Sequence, residues 1–591
     1  MDLFIYDWSI DNDKNTTNIR IWGLNKQNES ICLNINNFTP YVYIELPPKF
    51  NWKNETYLEL LNKSIDKLCG WQTYRPIYTE LCYKKKLFYA NVDSNNDYKK
   101  FPYLLLAFNC TKHINNLRFK LKKNNKIFVE RGIGNIEIKL HEHSANPILQ
   151  LTCFRDIPTA GWIKFKGKKI PKDDCETYCS YEYNVGWKSL YPNKSIDTIP
   201  QPYMLSFDIE VNSHNINKFP TGEHKDDKIF QISCIFNRQG ETNYENYLLS
   251  LGNPNKIKNT TILKYNSEIE LIIGFRDLII EKNPQIIIGY NIMSFDVQYI
   301  INRAQGCHCN CLEEFSTLSC LKDIQSPIKK IKWSSSAYRN QEFEYLETPG
   351  RLFIDLLPIV RRDYKFNNYT LKLVSTFFLG ETKDPLDHKG IFRGYRLGMK
   401  GEERGNKALA VVGKYCVQDS VLVGKLFEKI QTWVGLCEMA KTCNVPIMYI
   451  FTMGQQIKVY SQVYKKCLES NIVVENEGYI PNEEEEYTGA TVFPPNPGLY
   501  EKVIPFDFAS LYPTTIIAYN IDYSTLVTDD SIPDDKTHII EWEDHIGCEH
   551  DTTIRNTNVN KVICAKRKYR FLKEPKGVMP SLLEKLLDTR K

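Results

Sequence analysis

The 591-residue sequence predicts an α/β and α+β multidomain chain. Three observations support this: a length sufficient for about four domains of roughly 150 residues each, an alternation of strand-like and helix-like segments beginning at Met204, and two composition breaks at plausible domain boundaries. Aliphatic and aromatic residues make up 42% of the chain, enough for sizeable cores, and no apolar run approaches the ~20 residues a membrane helix requires. The net charge of +5 does not by itself point to nucleic acid. Basic residues are instead local: Lys84–Lys86, the series Lys164, Lys166, Lys168, Lys169 and Lys172, and Lys566–Lys568. Such runs are ordinary solvated surface unless they lie beside a phosphate-processing site. The 18 cysteines follow no disulfide framework and no signal peptide precedes them, so free thiols in a reducing compartment are expected.

Taken in order, the first ~200 residues read as mixed α/β. Ile19–Trp22 alternates as a short strand, and Tyr41–Leu46 as another, halted by Pro47 and Pro48. Tyr191–Pro202 reads as a boundary. In Met204–Val211, Leu205, Phe207 and Ile209 fall on one strand face and Asp208 and Glu210 on the other. Ile286–Tyr290 is a buried-strand run leading through Asn291 into a helix over Phe295–Ala304, with Asp296 at its start. Ala408–Lys429 reads as a helix on which Tyr415 and Asp419, four residues apart, share a face. Asn482–Pro497, with four consecutive Glu and then Pro494 and Pro495, marks a second boundary. Val503–Phe508 reads as a strand leading into a helix over Thr514–Tyr519. Two cysteine clusters, Cys307/Cys309/Cys311 around His308 and Cys548/His550/Cys564, are metal candidates, although C-x-C-x-C is not a standard zinc spacing.

Each carboxylate element alone also fits an exposed polar face. Their order is more specific. Asp-x-Glu at Asp208 and Glu210, Asn-x-x-x-Phe-Asp ending at Asp296, and Tyr-x-x-x-Asp at Tyr415 and Asp419 resemble the three exonuclease motifs of family B DNA polymerases. Pro349-Gly350-Arg351, Ile354-Asp355-Leu356 and Phe378-Leu379-Gly380 match that family's intervening pattern. Phe506-Asp-Phe-Ala-Ser-Leu-Tyr-Pro513 resembles its polymerase motif A, and Tyr487–Ala490 its connecting Tyr-x-Gly-Ala element. The late stretches Gly547–Asp551 and Lys566–Pro575 look most like polymerases of large eukaryotic DNA viruses.

The resemblance implies an N-terminal domain over 1–200, a ribonuclease H-like 3′→5′ exonuclease domain over 201–445, a connection over 446–499, an incomplete palm over 500–575 and the start of a fingers helix over 576–591. It implies that Asp208, Glu210, Asp296 and Asp419 hold two Mg²⁺ ions, or Mn²⁺ in their place, and that Tyr415 orients the attacking water. Hard divalent cations bind carboxylate oxygen, and a metal pair suits phosphodiester hydrolysis. It further implies that Asp507 and the carbonyl of Phe508 bind catalytic metal, that Ser510, Leu511 and Arg590 meet a triphosphate, and that Tyr512 underlies the sugar. The family's later Lys-x-x-x-Asn-Ser-x-Tyr-Gly and Tyr-Gly-Asp-Thr-Asp-Ser elements do not occur in this sequence. The implied partners are primer-template DNA, dNTPs, a C-terminal polymerase half in the same or a separate chain and a sliding clamp, with no membrane. The implied location is the host nucleus or a cytoplasmic virus factory. A stand-alone exonuclease and a non-catalytic DNA-binding subunit are the rival readings.

Overall fold

The structure is a computed structural model and describes residues 1–11, 15–93, 97–130, 132–335, 339–476, 494–544 and 565–590. The connecting element Tyr487–Ala490, the stretch Gly547–Asp551 and the cluster Cys548/His550/Cys564 lie outside them. Residue contacts divide the chain into two units. One comprises Met1–Asp13, Thr17–Phe38 and Pro147–Ser461, and the other Lys14–Thr16, Thr39–Asn146 and Gln462–Lys591. These contact-defined units and the linear segments inferred from the sequence are different divisions of the chain.

Among the described residues the first unit contains a seven-stranded sheet, a six-stranded sheet and a two-stranded one in which Ile328–Ser335 pairs with Arg339–Leu346. In the N-terminal sheet, Asp2–Asp11 lies between Asn18–Leu24 and Gly161–Phe165, so the expected strand over Ile19–Trp22 forms with one residue more before it and two after. The second sheet is six-stranded, in the order Thr261–Tyr265, Glu245–Leu251, Ile229–Arg238, Tyr203–Val211, Ile286–Gly289, Leu352–Asp355. Tyr203–Val211 pairs antiparallel with Ile229–Arg238 and parallel with Ile286–Gly289. Ile286, Ile287 and Ile288 are fully buried, as the unbroken aliphatic run requires of a strand covered on both faces. The helix Glu268–Lys282 is capped by the Ser267 side chain, which accepts from the Glu270 N–H, and ends on Asn283 in the left-handed conformation.

Pro349-Gly350-Arg351 joins this sheet to the N-terminal strands. The Tyr6 hydroxyl donates to the Gly350 carbonyl at 2.9 Å, and the Gly350 N–H donates to Asp7 Oδ2 at 2.9 Å. Gly350 has φ +81°, and a Cβ there would stand 2.7 Å from both Trp22 Cε3 and Cys320 Cβ, so only glycine fits. Arg351, buried, donates to the carbonyls of Leu318 and Pro284.

In the second unit, Tyr78–Lys86, Phe101–Ala107, Tyr41–Glu45 and Lys139–His141 form consecutive strands of a five-stranded sheet. Leu61 and Ile65 of helix Glu55–Cys69 and Ile114 and Leu117 of helix Thr111–Lys123 pack with Val42, Ile44, Leu104 and Leu106 of that sheet. Later in the unit, Thr537–Asp544 pairs antiparallel with Ala565–Leu572. The expected strand over Val503–Phe508 does not form. Val503, Ile504, Phe506 and Phe508 are 75%, 74%, 93% and 74% exposed. Among the described residues no strand pairs with this segment, and without a ladder partner its apolar alternation does not become a strand. The helix that follows runs Leu511–Ala518, beginning three residues earlier than expected, after Ser510 at φ +52°. The final helix runs Val578–Arg590, and the Asp522 carboxylate accepts the N–H groups of Val578 and Met579.

Candidate exonuclease-type active site

Asp208 and Glu210 extend beyond the parallel pairing of their strand. Met204, Leu205 and Ser206 pair with Ile286, Ile287 and Ile288, and the pairing stops there. The adjacent strand then leaves the sheet through Asn291, at φ +67°, into the helix Asp296–Gln305. Ile209 is thereby left without a neighbour on that side, and its N–H donates to Asp296 Oδ1 at 3.2 Å. The end of the ladder thus seats the third carboxylate beside the first two, at the carboxyl edge of the parallel strands, where α/β folds place their sites. Asp355, the last residue of its own strand, shapes the approach. It accepts the N–H groups of Asn291 at 2.7 Å, Met293 at 3.1 Å and Leu357 at 3.0 Å. Burial still pushes its carboxyl up to about 6.

The helix Glu403–Lys429, five residues longer at its start than the sequence indicated, covers the face from which Asp208 and Glu210 project. Small residues let it approach. The Ser206 hydroxyl donates to the Ser420 carbonyl at 2.6 Å, the Ser233 hydroxyl donates to the Cys416 carbonyl at 3.0 Å, and Gln231 Nε2 donates to the Leu409 carbonyl at 3.0 Å. At Gly413 a Cβ would come within 2.4 Å of Leu248, so the helix could not lie this close with a larger residue. These contacts set Tyr415, Cys416 and Asp419 over the two strand carboxylates. Ligating atoms of Asp208, Glu210 and Cys416 lie within 4.8 Å of one another.

Glu210, Asp296, Tyr415 and Asp419 are 6%, 3%, 7% and 2% exposed, so most of the predicted set is taken out of water together. Burial, then repulsion from Asp296, Asp419 and Glu210, raises the Asp208 carboxyl well above the ordinary carboxylate range. Burial and Asp419 do the same to Glu210. Burial pushes Asp296 up to about 7 even though backbone N–H bonds oppose it. Four carboxylates so placed call for cationic neutralisation.

Part of that neutralisation comes from Lys383, a residue the sequence reading missed. Its ammonium pairs with Asp419 Oδ2 and stands 4.5 Å from the centroid of the Tyr415 ring. Burial alone would lower the Lys383 pKa, but Asp419 and Asp208 outweigh it and hold the ammonium protonated. The loop carrying it is fastened to the same helix by Glu381 with Lys425 at 2.7 Å and Asp384 with Lys414 at 3.7 Å. Glu381-Thr-Lys-Asp384 facing Lys414, Asp419 and Lys425 is a visible complementarity, but a sequence does not reveal which loop faces which helix. The remaining donors suit a divalent cation. Asp419 Oδ1 is buried without a hydrogen-bond partner, and the set is mainly carboxylate oxygen.

The motif A residues behave differently. Asp507 and Tyr512 are exposed, Tyr512 at 79%, and Asp507 belongs to neither group of ligating residues found among the described residues. Ser510 precedes and Leu511 begins the short helix, Phe508 lies in the extended exposed segment, and Arg590 ends the last helix. Cys307, Cys309 and Cys311 are not among those ligating groups either. Burial pushes the thiols of Cys309 and Cys311 up to about 12 and about 11.

A mixed sheet carrying buried carboxylates on its central strand, over which a long helix sets a Tyr and an Asp, defines a nuclease-type domain joined to further α+β structure. Comparison with known proteins agrees. The family model "DNA polymerase family B, exonuclease domain" matches residues 138–374, and "DNA polymerase family B" matches 445–591. DNA polymerase 120R of Invertebrate iridescent virus 3 is 44% identical over 100% of this chain and 56% of its own length. DNA polymerase 037L of Invertebrate iridescent virus 6 is 33% identical over 96% of the chain and 55% of its own. The DNA polymerase delta catalytic subunit of Plasmodium falciparum is 30% identical over 97% and 50%. The structure of the family B DNA polymerase from Pyrobaculum calidifontis shares the fold, with TM-score 0.64 and 17% identity, over 100% of this chain and 63% of that one. The chain belongs to the family B DNA polymerases. It spans about half the length of the curated relatives it matches.

Proposed function

We propose that this chain removes nucleotides from DNA 3′ ends in proofreading and contributes motif A to a template-directed DNA polymerase. The observation that carries the exonuclease reading is the convergence of half-buried Asp208 with buried Glu210, Asp296 and Asp419 beside Tyr415 and Lys383. In this reading the four carboxylates hold two Mg²⁺ ions, with Mn²⁺ as a substitute. Bound there, the ions would make water nucleophilic at neutral pH and offset charge on the departing 3′-oxygen. Asp296 positions the strand end through the Ile209 N–H, and Asp355 fixes the loop that presents Asp296. Tyr415 directs its hydroxyl toward the attacking water. Lys383 holds Asp419 ionised and in place.

For the polymerase reading, Asp507 and the Phe508 carbonyl bind metal. The N–H groups of Ser510 and Leu511, together with Arg590, meet the triphosphate of a dNTP, and Tyr512 lies under its sugar. A single carboxylate of the expected metal pair and no motif-borne lysine are present in this sequence, so this chain by itself does not extend a primer. The primer-template DNA and the remainder of a polymerase, in the same or a second chain, complete that site.

Digestion of a 3′-labelled single strand in Mg²⁺ tests the first reading. Asp208→Ala with Glu210→Ala is expected to reduce the rate by roughly a thousandfold or more, since electrostatic stabilisation dominates phosphoryl chemistry. Equal digestion by parent and double variant would overturn it. Incorporation of a templated dNTP by the homogeneous chain would refute the polymerase statement.

A further inference from the structure

The loop between strands Tyr203–Val211 and Ile229–Arg238 contains a second, chemically different group of ligating side chains: His214, His224 and Asp227. Their ligating atoms lie within 4.8 Å of one another. His214 Nδ1 is 2.9 Å from Asp227 Oδ1. The two imidazole rings stack with centroids 4.1 Å apart and planes at 25°. Asp227 is fully buried, whereas the two histidine side chains keep 37% and 42% exposure, so the cluster is anchored inside and open to solvent on one side.

The surrounding structure fixes this arrangement. Arg303, 1% exposed and paired with buried Glu268, donates through Nη1 to the carbonyls of Gly222 at 3.0 Å and His224 at 2.8 Å. The Tyr299 hydroxyl donates to the Asp227 carbonyl at 2.8 Å. From the helix His388–Gly398, Arg396 donates to the carbonyls of Ser213 at 2.7 Å and His214 at 3.1 Å. The Asp227 carboxylate is oriented by the N–H groups of His214 at 2.6 Å and Thr221 at 3.1 Å. Thus the backbones of both histidines are held by arginines, and the carboxylate between them is held by main-chain donors. The backbone of this loop is thus preorganised and only the exposed imidazoles have to turn to bring their nitrogens onto an ion, which favours binding.

We infer that His214, His224 and Asp227 form a binding site for a zinc-class divalent cation, separate from the carboxylate set of Asp208, Glu210, Asp296 and Asp419. Two imidazole nitrogens with one carboxylate oxygen is a donor set that zinc and its neighbours accept and that Mg²⁺, which takes oxygen, does not match. The ion takes the place of the direct contact between His214 Nδ1 and Asp227 Oδ1, and water on the open side, or Asp226, whose Oδ2 lies 3.9 Å from His224 Nδ1, completes the coordination. Because the loop begins directly after the strand bearing Asp208 and Glu210, the bound ion clamps the end of that strand.

The test uses the full chain, stripped with EDTA and returned to excess Mg²⁺. Zn²⁺ is expected to protect His214 and His224 of the parent from diethyl pyrocarbonate, read by peptide mass spectrometry, while exposed His388 stays reactive. Mg²⁺ alone should give no protection. Substituting Co²⁺ should produce nitrogen- and oxygen-ligand absorption without thiolate charge transfer, and His224→Asn and His214→Asn should each weaken that binding at least tenfold. Modification of both histidines unaffected by Zn²⁺ would overturn the site, and so would Co²⁺ binding that is equal in parent and variants or carried only by thiolate. The protection readout needs no variant, so a variant that fails to fold leaves the test intact.

Discussion

Replacing Lys383 by Met separates the charge of this residue from its packing. The ammonium pairs with Asp419 and lies over Tyr415, and Asp208 and Asp419 both act on it. Met keeps an unbranched stem of similar reach and removes the cation. Breaking a buried ion pair costs ~3–5 kcal/mol because the remaining charge is stranded. The Lys383 side chain retains 27% exposure, so solvent screening reduces the expected cost to ~2–3 kcal/mol. This applies in EDTA near neutral pH, where no other cation is present. In saturating Mg²⁺ the divalent ions neutralise the same carboxylates and, with no ammonium to compete with in the variant, stabilise it more than the parent, so the deficit should fall below ~1 kcal/mol. Urea unfolding of both proteins, with and without Mg²⁺, reads the difference directly. A deficit of equal size in both conditions would mean that Lys383 acts through packing of its loop. No deficit in EDTA would mean that the pair is not a buried one. Either result would refute the electrostatic account of the pocket.

Two further outcomes follow from the junction at Gly350. Gly350→Ala places a methyl 2.7 Å from Trp22 and Cys320 at a left-handed φ, so a loss of roughly 2–5 kcal/mol is expected, and a urea midpoint equal to the parent's would count against the close packing. Asp7, which accepts the Gly350 N–H, has its carboxyl pushed up to about 7 by burial. Because the folded form binds this proton more tightly than the unfolded chain, with an ordinary value near ~3.9, the parent loses stability as pH rises from about 4 to about 7 and no further above that. Asp7→Asn abolishes the dependence. Its advantage over the parent should grow from nothing near pH 4 to at most ~4 kcal/mol at pH 8, and an advantage larger at pH 5 than at pH 8 would sink the argument.

Much of the candidate site was legible in the sequence because its signals are local. Strand alternation puts Asp208 and Glu210 on one face, a helical repeat puts Tyr415 and Asp419 on one face, and a buried aliphatic run followed by Asn291 and Asp296 marks a strand leaving a sheet for a helix. These periodicities follow from backbone geometry and do not depend on what lies opposite. Tertiary structure decided the rest. Ser206, Ser233 and Gly413 carry no catalytic signature, yet their small size lets the long helix settle over the strand carboxylates. Lys383 lies in an undistinguished loop and enters the pocket only because that loop crosses the helix. His214 and His224 are ten residues apart and become neighbours through Arg396 and the buried Arg303, which lie on two other elements. Val503–Phe508 shows the converse. Its alternation reads as a strand, but a strand is completed by hydrogen bonds from a neighbour, and a segment's own residues cannot supply that neighbour.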